Sequence, residues 1–229
     1  MKTKFRSLKW AGLMAASLLL ALGATSAQAA IGTIVGSKHD FSSTGPSLTY
    51  KGTTTQVCIY CHAPHNTAST SLLWNHTASA ATYTLYANST MKATLGQPAG
   101  VSKLCLSCHD GTIAIDSFGG ATGTALNKAA GTVNLGTSLA DDHPIGFAYN
   151  AALVALDPGL KAVSTAATIG TGNAGTIESK LLVGATGVAT MECSSCHDVH
   201  NSTSGTAVEA KLLKITTVGS ALCVACHIK

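Results

Sequence analysis

The chain has 229 residues, of which only 10% are charged and 5% aromatic, with 23 glycines among an excess of Ala, Ser and Thr. So few large side chains leave one or two domains of this length short of material for a conventional core. The formal charge of +4 is local, because four of the fourteen basic residues, Lys2, Lys4, Arg6 and Lys9, stand in the first nine positions and all ten acids follow, leaving ten bases against ten acids. No arginine and no basic cluster occurs beyond that point, which excludes nucleic-acid binding.

The basic start runs into an apolar stretch from Trp10 to Leu22, and Ala27-Gln28-Ala29 follows as a small-x-small cleavage sequence. Residues 1–29 therefore read as a secretory signal and 30–229 as the exported domain. The apolar stretch falls short of the ~20 residues that a spanning helix needs, so no membrane span is expected after cleavage. The expected location is secreted, at the cell surface or outside the cell, with the periplasm as the alternative.

Along the exported part, His39 comes first, in Ser37-Lys38-His39-Asp40, and Cys58-Ile-Tyr-Cys61-His62 follows, with His65 three residues later. His76 stands in Trp74-Asn75-His76, and Ala81 to Tyr86 is predicted to be a short strand. Cys105-Leu-Ser-Cys108-His109 precedes a long middle rich in Gly, Ala and Thr that contains His143 in Asp141-Asp142-His143-Pro144. A helix is predicted over 151–156, stopped by Asp157-Pro158-Gly159, and another around 207–216. Between them, Gly170 to Gly175 formally matches G-x-G-x-x-G, a cheap match in so glycine-rich a chain, without the strand, helix and acid that a dinucleotide site requires. Cys193-Ser-Ser-Cys196-His197 carries His200 at the same offset as His65, and Cys223-Val-Ala-Cys226-His227 is expected to begin a helical turn capped by Ser220. The remaining Thr, Ser and Gly read as turns and loops.

All eight cysteines thus fall in four copies of C-x-x-C-H, the attachment pattern for haem c: two thiols add to the vinyl groups and the next histidine reaches iron. Structural disulfides or a redox dithiol need no histidine after each second cysteine. Zinc knuckles need four ligands per metal and no histidine at one fixed offset. Four haems c would also supply the apolar surface that the polypeptide lacks. The expected fold is a multihaem cytochrome c, mostly irregular loops wrapped around haems with a few short helices and minor strands. The segment C-x-x-C-H-x-x-H-N occurs at Cys58 and at Cys193, each followed by a Leu-Cys-x-x-Cys-His copy, which predicts haem-pair modules at about 31–125 and 185–229 joined by the middle.

Iron with one protein ligand does chemistry, whereas iron with two strong ligands mainly moves electrons. Beyond His62, His109, His197 and His227, the chain has His39, His65, His76, His143 and His200, one more than four haems require. Bis-histidine ligation is the economical reading, with His39, His65, His143 and His200 as distal ligands and His76 as the spare. His65 and His200 stand too close to their own motifs to reach over the same haem and are expected to serve its neighbour. The expected role is electron transfer, with no enzymatic activity.

These residues resemble the tetrahaem members of the exported cytochrome c3-like, doubled C-x-x-C-H family. The resemblance runs through Ser37 to Asp40, Cys61 to Asn66, Leu73-Trp74-Asn75, Leu104 to Gly111, Asp142-His143-Pro144 and Cys193 to Asn201. Within that family the chain is similar to the outer-membrane cytochrome E type. That likeness implies little secondary structure, a homopolymeric extracellular filament with a continuous haem chain, and one haem ligand donated by the adjacent subunit. His39, near the free terminus, is expected to be that ligand. Redox partner proteins or extracellular acceptors are the other implied partners. A soluble periplasmic shuttle is the alternative that the same motifs allow.

Overall fold

Apolar runs interrupted every few residues by glycine or proline give short elements, and in the computed structural model the longest helix among the described residues has ten residues. The structure describes residues 34–47, 50–65, 71–125, 128–170, 172–202 and 211–228. The signal read over 1–29 therefore lies outside the described residues, and Gly32–Lys229 forms one compact unit. In chain order the elements are β1 (Thr84–Leu85), α1 (Gly100–His109), β2 (Ser138–Leu139), β3 (Phe147–Ala148), α2 (Ala151–Leu156), β4 (Ala166–Ile169), β5 (Asn173–Thr176), α3 (Ile177–Leu181), β6 (Thr190–Met191), α4 (Cys193–Cys196) and α5 (Ala221–Cys226). Single 3-10 turns lie at Ser71–Leu73, Gly131–Val133 and Val218–Ser220. β1 pairs in parallel with β2, whereas β3–β6 and β4–β5 are antiparallel.

The largest apolar cluster lies in the Gly/Ala/Thr-rich middle, where Phe147, Tyr149, Leu153, Ala167, Ile169, Ile177, Leu181 and Met191 are buried together. The middle is therefore a packed body as well as a connection. α2 covers the predicted 151–156: the Asn150 side chain accepts from Leu153 N at 3.1 Å, satisfying a first-turn donor, and Asp157-Pro158 leaves the helical region. The G-x-G-x-x-G stretch is a hairpin connection, with Ile169 opposite Asn173 and Gly172 at φ +79. Thr176 and Ser179 form a reciprocal cap that starts α3. Two smaller clusters sit nearer the N-terminus: Phe41, Tyr60 and Ile115, packed against Cys61 and Cys108, and Tyr83, Leu106 and Leu139.

α1 continues through the whole second motif, burying Leu106, Ser102 and Ser107, and ends where Gly111 takes φ +68. Three expectations change. The strand read at 81–86 contracts to Thr84–Leu85, the length its two-residue partner can pair. The helix read at 207–216 is absent from 211–216, where Asp198 N donates to Leu212 O and Lys214 N to Cys196 O, drawing this segment alongside the third motif; 207–210 lie outside the described residues. Ser220 does precede α5, but at φ +61 its side chain makes no capping bond.

Candidate functional site

Three of the four motifs share one backbone frame. The residue after the motif histidine donates to a facing carbonyl, and the carbonyl of the second cysteine accepts from two residues further along that facing segment. The pairs are Ala63 N–Leu73 O and Asn75 N–Cys61 O, Asp198 N–Leu212 O and Lys214 N–Cys196 O, and Ile228 N–Gly159 O and Lys161 N–Cys226 O, at 2.7–3.1 Å. The second motif differs because α1 runs through His109, whose own carbonyl accepts from Leu135 N at 2.7 Å.

The facing segments also orient three of the imidazoles. Nδ1 of His62 lies 2.7 Å from Leu72 O, that of His109 2.7 Å from Val133 O, and that of His197 2.8 Å from Lys211 O. A carbonyl only accepts, so each Nδ1 carries the hydrogen and each Nε2 is left as the free base that a metal needs. Leu72, Leu73 and Leu212 hold left-handed φ values of 56, 52 and 54 in these segments. These accepting carbonyls left no sign in the sequence, since nothing in a leucine foretells a positive φ.

The extra histidines stand against motif histidines. His200 stacks opposite His62 with ring centroids 6.2 Å apart and planes 18° from parallel. His39 faces His109 at 5.9 Å and 80°, and His143 faces His227 at 6.4 Å and 73°. A metal–imidazole nitrogen bond is about 2 Å and the ring centroid lies about 1 Å behind the nitrogen, so two imidazoles sharing one iron have centroids about 6 Å apart. The three pairs fit that spacing. His39 is pushed down to about 4, first by burial and then by His109, His197 and His200, which keeps it in the neutral form that binds metal. Its buried Nδ1 has no hydrogen-bond partner.

His39 thus faces a histidine of its own chain. The terminal arm is not free: Asp40 is buried and accepts from Gly36 N, Ser42 N and Ser42 Oγ at 2.9, 3.1 and 2.6 Å, closing the turn that carries His39. His65 and His197 are exposed, and among the described residues neither has another histidine ring opposite it. His76 is 2% exposed, with Nδ1 2.8 Å from Thr77 O and Nε2 2.9 Å from Ala114 O.

The thiols follow one another through the molecule. Cys61 and Cys108 pack on the same apolar cluster, Cys105 donates to Cys193, and Cys226 feels Cys196. The motifs thus adjoin in sequence order: first to second, second to third, third to fourth. Burial, then Cys58, pushes the Cys61 thiol up to about 11; burial, then Cys61 and Asp110, pushes Cys108 up to about 12. The Cys105–Cys193 hydrogen bond raises Cys105 and lowers Cys193 to about 7, since the donor keeps its proton and the acceptor's thiolate is stabilised. No two of the eight cysteines are joined in a disulfide. Among the described residues no group of three or more His, Cys, Asp or Glu side chains converges to hold a metal ion directly.

Apolar side chains flank the motif histidines on the outside. Leu72 and Leu73 beside His62, Val133 and Leu135 beside His109, and Ile228 beside His227 are 41–58% exposed. A ring of paired thiols, a free Nε2 and an uncovered apolar rim is what a covalently held porphyrin fits.

The doubled CXXCH motif family matches residues 186–229, the segment containing the third and fourth motifs. That match, with the short helices and minor strands around it, supports a multihaem c-type cytochrome carrying covalently bound haem c and serving electron transfer. No protein of curated function matches the sequence. Among the described residues no helix is long and apolar enough to cross a membrane.

Proposed function

We propose that the chain carries four haems c, each between two histidines, and passes electrons along them as the repeating subunit of an extracellular cytochrome filament. The observation that carries the haem reading is the set of three imidazole pairs at 6.2, 5.9 and 6.4 Å, each joining one motif histidine to one extra histidine. Closed, six-coordinate iron leaves no position for a substrate, so the haems store and relay electrons and the chain is not an enzyme. The succession of adjoining cysteines supports one continuous array, because porphyrin edges follow the thiols that hold them.

The polymer reading rests on the unmatched pair. His197 and His65 are both exposed, and a bond from His65 of one copy to the third-motif haem of the next would join unlike surfaces. Such a contact is heterologous and grows as an open chain.

Three measurements test this. Intact mass of the secreted protein is expected to exceed the polypeptide by four haem groups, and fewer would end the tetrahaem reading. The ferric protein is expected to be fully low-spin. Electron microscopy is expected to show filaments from the native chain and none from His65→Ala, which should be a soluble monomer with one high-spin haem. A native protein that remains monomeric with four low-spin haems would instead be the periplasmic shuttle.

A further inference from the structure

We infer that one position of the shared motif frame sets the charge beside the haem it serves, and that Lys161, which occupies this position at the fourth motif, raises the potential of that haem. The inference rests on the haem reading above, while the position itself is defined by contacts of the polypeptide.

The first and fourth motifs repeat three contacts at equivalent positions. Asn75 donates from its backbone N to Cys61 O at 2.8 Å, and its side-chain Nδ2 donates to Ile59 O, the carbonyl of the residue after the first cysteine, at 2.7 Å. Lys161 donates from its backbone N to Cys226 O at 2.7 Å, and its Nζ donates to Val224 O, again the residue after the first cysteine, at 2.5 Å. Each stands two residues beyond the carbonyl, Leu73 O or Gly159 O, that accepts from the residue after the motif histidine. Hydrogen bonding alone asks only for a donor there. What differs is charge, an amide at the first motif and an ammonium at the fourth. The third motif has Lys214 in this position, but its Nζ turns to Lys180 O at 3.1 Å, and the carboxylates of Asp198 and Glu192 act on the same site. The fourth motif therefore shows the effect of the position most cleanly.

The Lys161 ammonium donates to a neutral carbonyl, which does not cancel its charge. The attachment cysteine registers that charge: burial, then Cys196, pushes the Cys226 thiol up to about 11, and Lys161 works against the rise. At Cys61 both causes, burial and Cys58, push upward. A porphyrin bound through Cys226 would have the cation at its edge. Oxidising its iron adds one positive charge to the haem, which a nearby cation opposes, so the reduced form is favoured and the potential rises. Lys161 is half-buried, so salt screens this field less than at an open surface. With an amide at the first site and an ammonium at the fourth, the two ends of the array differ, and the electron is drawn towards the fourth.

The test is redox titration of the holoprotein at neutral pH, followed by haem absorbance. Lys161→Asn, which installs the side chain found at the first motif, is expected to lower one midpoint potential well beyond the others, and Lys161→Arg, which keeps the charge, to leave it near the native value. Unchanged potentials in Lys161→Asn, or equal falls in both variants, would overturn the inference and leave Lys161 a packing residue. Asn75→Lys is expected to raise a different midpoint, and an unchanged set there would deny the shared position its role. The two Lys161 variants decide the effect at the fourth motif whether or not Asn75→Lys folds. Intact mass separates these failures from a failure of the haem reading, which would show as missing haem in the native protein.

Discussion

The segment from Phe147 to Met191 and the segments that carry the motifs solve folding differently. The first buries eight side chains in one cluster, joined by a hairpin, two capped helices and the β3–β6 pair. The second manage with three-residue clusters and leave Leu72, Leu73, Val133, Leu135 and Ile228 exposed beside the motif histidines. The first is a closed cluster, with Ala93, Leu95, Ile215, Ala225 and Cys226 packed against it from outside, whereas the second keeps apolar side chains exposed. A chain poor in large residues concentrates them where no cofactor will help.

Haem attachment separates the two regions most sharply. In chain made without it, hydrogen exchange is expected to lose protection throughout the motif segments while 147–191 keeps a protected remnant. Equal collapse of both, or none, would remove the distinction. Next in size, Leu153→Ala or Ile177→Ala in holoprotein is expected to cost about 2–5 kcal/mol in denaturant unfolding, since both side chains are buried in the largest cluster.

A smaller effect lies on the motif side. Burial raises the Asp110 carboxyl, and hydrogen bonds from Ser79, Tyr83 and Thr112 more than offset this, leaving it below the ordinary value of 3.8. A carboxyl lowered by folding stabilises above its unfolded value, and that contribution is lost as pH falls through the lowered one. Asp110→Asn is therefore expected to cost about 1–3 kcal/mol at neutral pH and to flatten the acid limb of the stability profile.

How much of this was legible beforehand depended on whether a feature is covalent or spatial. Four C-x-x-C-H copies announce their chemistry in five adjacent residues, and Asp157-Pro158-Gly159 marks the end of α2. The body around Ile177 left no such mark, because its strands of two to four residues are too short for alternation to show and pair through glycines. α1 was hidden for the opposite reason: its start has no capping side chain, and the motif inside it reads as chemistry rather than helix. The pairing of His200 with His62 depends on contacts 138 positions apart, which spacing along the chain does not encode.

The succession of buried sulfurs also sets an order of manufacture. Adding a thiol across a vinyl group requires the sulfur to be reachable, yet folding buries Cys61 and Cys108 in one apolar cluster and engages Cys105 with Cys193. A chain that collapsed first would seal these sulfurs against one another and strand the second and third sites together. On the haem reading proposed above, attachment is therefore expected on an extended, reduced chain, before the polypeptide closes.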